Sequence, residues 1–319
     1  METTDPREGY VSNISLEKSS IQLDPPIVFL FGGEVGDIKS PATSIRRCLL
    51  DYISTNDPHL FERLVVPEEF EDWLHDSAYP DLLTFESDLA QTSALVVIAL
   101  ESPGAIAELG SFSVNLALKK KTVVIISDFH FRQKSFIRLG PMRQILENNI
   151  YAYPYDHNNP VGSIDDYLED IVRNIKLNID SSNSSEAFDR ENNGHIAMLI
   201  YELVSIFKAI TFNEIKSYLK IMLVNANTTI IKRLIFLLAK LDLVVCKRMG
   251  KIDYYLPLKT EERLTLSGFD KQRSFQRTSV IIGTASYYES STKEKFRKLV
   301  ISNSTGNVTC LPFLGPVDT

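Results

Sequence analysis

The sequence predicts an α/β protein, built on a doubly wound parallel sheet and continued by a mainly helical domain. Three observations predict it. Short unbroken apolar runs alternate with amphipathic helical stretches through the first part of the chain, as strands buried on both faces require. A polar stretch over 181–195 then interrupts the pattern, and three apolar-faced helices with a hairpin follow it. The charge balance changes at the same place. Residues 1–195 carry 31 acidic against 16 basic groups, residues 196–260 carry 4 against 10, and residues 261–319 carry 6 against 8. An acidic front and a basic middle imply parts that face different partners.

In order along the chain, 1–24 is a polar arm, METTDPREGYVSNISLEKSS at its start, with no apolar signal core. Ile27–Phe31 is the first buried strand and stops at Gly32-Gly33. A helix is expected over 43–53 on the face of Ile45, Leu49, Leu50 and Ile53, and a short strand over Leu64-Val65-Val66, ended by Pro67. Leu82–Ala90 reads as a helix, Ala94–Leu100 as a strand, and Pro103–Leu118 as the next helix. Thr122–Ile126 is a strand, Ser135–Leu146 a helix, Ile150–Tyr153 a strand, and Ile164–Leu177 a closing helix. Right-handed crossovers make this pattern a flavodoxin-like sheet, whose site lies outside the carboxyl ends of the strands. Two loops, at Gly32-Gly33 and Ser102-Pro103-Gly104, follow strands and are expected to converge there.

After the linker, His195–Ala209 reads as an apolar helix, and Thr211 with Glu214 as a capping box opening a second. Thr228 or Thr229 is expected to cap a third helix, Ile230–Leu241. Leu243–Lys247 and Ile252–Leu256, joined by a turn at Met249-Gly250, complete a winged helix over 196–260. The extension 261–319 has no assignable fold; Ser279–Ile282 reads as strand-like and Lys293–Leu299 as a basic helix.

Several function classes fall away. No window nears the roughly 18 apolar residues of a membrane span. Cys48, Cys246 and Cys310 form neither a disulfide framework nor a metal spacing, so no metal site is expected and a cytoplasmic location is.

The chemistry centres on Ser102–Gly110. Ser102 suits a helix N-cap and Pro103 the first helical position, while Gly104 lets a ligand approach the backbone. Amides at such a helix start favour phosphate or ribose oxygens. Glu108 sits about one turn in, near the small Ala105 and Ala107 that leave room for a ligand, where a carboxylate can trap or stabilise an oxocarbenium-like centre at a sugar's anomeric carbon. The same segment taken alone reads equally well as a solvated helix. Glu86 and Asp88 are candidates for ribose hydroxyls or base, Gly32 and Gly33 for close passage of the first loop, and Lys134 and Arg143 for phosphate. In the basic part, Lys232 and Arg233 open the third helix, and Lys247, Arg248 and Lys251 crowd the hairpin; they are the nucleic-acid-binding candidates, flanked by Lys208, Lys216 and Lys220.

The segments Phe29–Gly33, Phe85-Glu86, Glu101–Gly110 and Lys134–Arg143 together resemble the nucleoside 2-deoxyribosyltransferase-like effectors of bacterial retron anti-phage systems. The likeness is best over 25–150. It implies an N-glycosidase domain over 25–180, catalysis by Glu108, and NAD as substrate rather than cofactor, cleaved at the nicotinamide–ribose bond. It also implies association with a retron reverse transcriptase and its multicopy single-stranded DNA, in a homo-oligomer or higher assembly away from membranes. Two alternatives stand beside it: a deoxyribosyltransferase or glycosidase acting on smaller nucleosides, and a nucleotide-sensing transcription regulator without enzymatic activity.

Overall fold

A computed structural model describes residues 4–37, 39–67, 78–181, 185–269 and 275–302. The chain divides into two compact units. It opens with α1 (Arg7–Ser12) and β1 (Ser20–Gln22), which belong to the unit completed by the C-terminal part.

The other unit, Leu23–Glu71 with Asp81–Ser184, holds β2 (Val28–Phe31), α2 (Ile45–Asn56), α3 (Pro58–Phe61), β3 (Leu64–Val65), α4 (Leu82–Gln91), β4 (Leu95–Ala99), α5 (Pro103–Val114), β5 (Thr122–Ser127), α6 (Asp128–Arg132), α7 (Phe136–Leu139), β6 (Ile150–Tyr153) and α8 (Leu168–Ser181). Its five strands pair in the order β3-β2-β4-β5-β6, every pair parallel. This agrees with a doubly wound α/β fold. Alternation along the strands divides the core between two faces. Val28, Leu30, Val97 and Ile125 pack with Ile45, Leu49 and Ile53 of α2 and Ile171 and Ile175 of α8. On the other face, the Phe31 ring meets Phe112 of α5 edge-on, with centroids 5.1 Å apart. The three central strands β2, β4 and β5 are therefore buried on both sides, which is why these runs are apolar without alternation, while the edge strands β3 and β6 are only partly buried.

Two expectations change here. The helix expected over 135–146 is only α7, because Gly140 leaves the helical region (φ −105, ψ −100) and Pro141 follows it. The helix expected to reach Leu118 stops at Val114, and Asn115 turns the chain with its side chain accepting from Ala117 N at 2.9 Å.

The second unit comprises the described residues of Met1–Gln22, Asp72–Pro80 and Ser185–Thr319. Within the polar 181–195 stretch, Ser185–Ala187 forms β7, which pairs antiparallel with β1, and β1 pairs on its other edge with β11 (Leu264–Thr265). Between them in sequence lie α9 (Asn193–Phe207), β8 (Ile210–Thr211), α10 (Phe212–Ile221), α11 (Thr228–Lys240), β9 (Val244–Met249) and β10 (Ile252–Pro257). Residues Gly194–Phe207 of α9 are all buried, so this helix is apolar all round because it runs through the centre of its unit. The capping box is present: Thr211 Oγ1 accepts from Glu214 N, and Glu214 Oε2 accepts from Thr211 N at 2.8 Å. Asn227, rather than either threonine, caps α11, its side chain accepting from Ile230 N. Strands β8, β10 and β9 form an antiparallel sheet in that order, with Gly250 at φ +64 in the β9–β10 turn.

The strand-like Ser279–Ile282 is in fact the start of α12 (Arg277–Ser290). Val280, Thr284, Tyr287 and Tyr288 are its buried positions, a helical spacing that outweighs the β propensity of four residues. α13 (Lys295–Ser302) follows. Among the described residues no helix is long and apolar enough to cross a membrane.

Candidate functional site

The Ser102–Gly110 segment begins at the carboxyl end of β4 and becomes α5. Ser102 is the N-cap: its Oγ accepts from Ala105 N at 3.1 Å and donates to Gly32 O at 3.1 Å. That hydrogen bond joins the two glycine-containing loops. Pro103 occupies the first turn, where it loses no helical hydrogen bond. Gly104 is exposed, and a Cβ there meets nothing closer than Ser102 Oγ at 3.7 Å, so among the described residues no contact requires a glycine.

Gly32 and Gly33 have a different reason. A Cβ on Gly32 would lie 2.9 Å from Arg46 Cβ, and one on Gly33 would lie 2.8 Å from Ser44 Cβ. The first loop is thus packed against the start of α2. Between them lies Glu101, whose carboxylate accepts three backbone hydrogen bonds: from Ile45 N at 2.6 Å, Arg46 N at 3.0 Å and Gly33 N at 3.0 Å. The N-terminus of a helix at the switch point of such a sheet is an anion site. Here the chain's own carboxylate occupies it. Sequence reasoning passed over Glu101, because its partners lie 55 to 68 residues away.

Glu108 is half-buried on α5. At 100° per residue it shares a side of the helix with buried Ala105 and Phe112. On α4, Asp88 is 2% exposed and Glu86 half-buried, while Phe85 is fully buried. Lys134 and Arg143 are exposed.

A cavity of about 220 Å³ opens at the ends of β4, β5 and β6, with Glu101, Ile106, Ser127, Arg138, Tyr155 and His157 in its wall. Of the candidates named from sequence, none lines it. Burial pushes the Tyr155 hydroxyl upward, the nearby Glu101 carboxylate adds to that, and hydrogen bonds to Ser127 oppose it. Tyr155 is therefore a neutral donor at any physiological pH. These residues come from the three segments that follow β4, β5 and β6, too far apart in the chain for a local pattern to mark them.

In the C-terminal unit, Lys232, Arg248 and Lys251 are exposed, and Lys247 and Arg233 half-buried. Arg248 is held by Asp253 through Nε (2.6 Å) and Nη2 (2.8 Å), across the β9–β10 ladder. Arg233 lies over the Tyr79 ring at 5.8 Å, and that ring meets Phe236 at 6.2 Å. Lys216 donates to Thr228 Oγ1, tying α10 to the start of α11.

These features define an α/β protein with a carboxylate-bearing helix start at its switch point, joined to a helical unit with a basic hairpin. Residues 42–246 match the STM3845 retron effector protein family, and the chain belongs to it. A retron Ec86 protein of Escherichia coli, named as a candidate ribosyltransferase/DNA-binding protein, is 31% identical over 152 residues, 47% of this chain. A retron Ec73 protein of Escherichia coli with the same naming is 25% identical over 203 residues, 59% of this chain. The matches span 47% and 64% of those relatives' own lengths.

Proposed function

We propose that this retron effector is a toxic N-glycosidase that hydrolyses NAD at the nicotinamide–ribose bond and is held by a retron reverse transcriptase and its multicopy single-stranded DNA. One observation carries the assignment of the chemistry. Of the two carboxylates in the Glu101–Gly110 motif, Glu101 accepts from three backbone amides and serves the fold, which supports giving the chemistry to Glu108. In this reading the α/β unit is nucleoside deoxyribosyltransferase-like. Glu108 attacks, or stabilises positive charge at, the anomeric carbon as the C–N bond breaks and nicotinamide leaves as a neutral base. Water then adds at that carbon and loses a proton, giving ADP-ribose. Glu86 and Asp88, on the neighbouring helix, orient ribose hydroxyls. The backbone amides of Gly104 and its neighbours face the ligand's oxygens.

Residues 196–260 are read as a winged helix, an order of elements that the β8-β10-β9 sheet and α9–α11 support. Because Tyr79 packs on the Arg233–Phe236 face of α11, contact with nucleic acid falls to Lys232 and the hairpin lysines, and is made to phosphates rather than bases. The naming of both relatives as ribosyltransferases favours a second reading, transfer to an acceptor other than water or cleavage of a smaller nucleoside.

The test is nicotinamide release from NAD, followed by chromatography, for the effector alone and with its retron partners. Glu108→Gln is expected to lower release by about a thousand-fold or more. Equal release by that variant refutes the role of Glu108. Release of a base from deoxynucleosides but never from NAD supports the second reading. Undiminished cellular toxicity of Glu108→Gln points to a non-enzymatic sensor.

A further inference from the structure

The cavity beyond α5 is a site that the glycosidase chemistry leaves unused. Ile106 lines it and Glu108 does not; two positions apart, these side chains leave the helix about 200° from one another. The lining of the cavity has two kinds of residue. Leu100, Ile106, Ile126 and Met142 make apolar walls, with the Tyr155 hydroxyl and the Glu101 carboxylate among the polar groups. Tyr155 is 6% exposed and Met142 1%, so these two groups are well shielded from water.

The remaining wall is different. Arg138 stands there with its guanidinium stacked 4.4 Å over the Phe131 ring, and among the described residues no carboxylate pairs with it. His157 stacks flat on Phe129, centroids 3.8 Å apart and planes within 4°, and His130 meets His157 edge-on at 5.3 Å. An arginine fixed on an aromatic ring and lacking a counter-ion suits a phosphate. Apolar walls with a few hydroxyls suit a flat heterocycle. Size agrees: an engineered apolar cavity of about 150 Å³ holds benzene, and this one measures about 220 Å³.

We propose that this cavity is a second ligand site, which takes the base of a nucleoside monophosphate and places its phosphate at Arg138. The phosphate is either that of a free mononucleotide or that of one half of a dinucleotide; the chemistry recognised is the same. The site does not depend on Glu108.

Calorimetric titration of the full-length Glu108→Gln protein with AMP, UMP, adenosine and NAD tests it. Binding of a mononucleotide is expected, and the Arg138 and Ile106 variants separate the phosphate contribution from that of the apolar wall. Arg138→Ala weakens mononucleotide binding about ten-fold and leaves adenosine unchanged. Ile106→Trp fills the cavity and abolishes both; Ile106 is 40% exposed, so the larger ring is tolerated, and an unchanged melting curve verifies this. NAD binding that both variants weaken, without mononucleotide binding, assigns the site to half of a dinucleotide. The proposal is overturned if no ligand binds at about 1 mM, or if both variants bind as the parent does. Because Glu108→Gln is the background throughout, a failed glycosidase assignment leaves this result intact.

Discussion

Glu101→Gln is expected to destabilise the α/β unit by about 2–5 kcal/mol while changing neither size nor shape of the side chain. The carboxylate accepts from Ile45 N, Arg46 N and Gly33 N, and the Ile45 and Arg46 residues are 0% and 1% exposed. A glutamine has one acceptor oxygen, and its amide nitrogen turns a donor toward at least one of those N–H groups. Leaving one buried donor unsatisfied costs about 1–3 kcal/mol, and charge assistance on the others is lost, at about 1 kcal/mol or more. The interaction of a carboxylate with the N-terminus of α2 adds about 0.3–1 kcal/mol. Urea unfolding of the full chain, with hydrogen exchange at the amides of Ile45 and Arg46 as the local readout, measures it. The companion Glu108→Gln is expected to stay within about 1 kcal/mol of the parent. If Glu101→Gln unfolds within about 0.5 kcal/mol of the parent and its Ile45 amide stays protected, the carboxylate is not what holds the two loops together.

Two further outcomes follow from the C-terminal unit. Glu202 is fully buried in α9, and burial pushes its carboxyl up to about 6 from the ordinary 4.5, despite the 2.6 Å bond from Arg277 Nε. Its folded pKa lies above its unfolded one, so the folded state takes the proton first. The cost of charging it, about 2 kcal/mol, is fully present above pH 6 and disappears as pH falls through 6 to 4.5. Denaturation at pH 7.5 and pH 5 should show about 1 kcal/mol of this gain, and Glu202→Gln should remove it; equal pH dependence in parent and variant contradicts the assignment. On the hairpin, Lys247→Ala with Lys251→Ala should lower the salt slope of binding to a single-stranded oligonucleotide by about 1.4. Arg248→Ala, whose charge Asp253 already compensates, should change it little; a larger effect from Arg248 than from the lysines would reverse this reading.

The elements of the sheet, the capping box and the buried α9 were legible because each is encoded in a few neighbouring residues. Apolar runs make strands covered on both faces, and Thr211 with Glu214 satisfies orphan amides one turn away. A short β-branched run misled at Ser279–Ile282, because the helical spacing of Val280, Thr284 and Tyr287 spans twice that length. What only the tertiary structure decided has one physical origin, contact between residues far apart in the chain. β1 finds its partners at 185–187 and 264–265. Glu101 reads in sequence as one more acidic residue before a helix, yet it closes the anion site of α2 from more than 50 residues away. The Glu101–Gly110 motif thus named Glu108 by pattern, while only the fold shows that the motif's other carboxylate is bound by three backbone amides from distant loops.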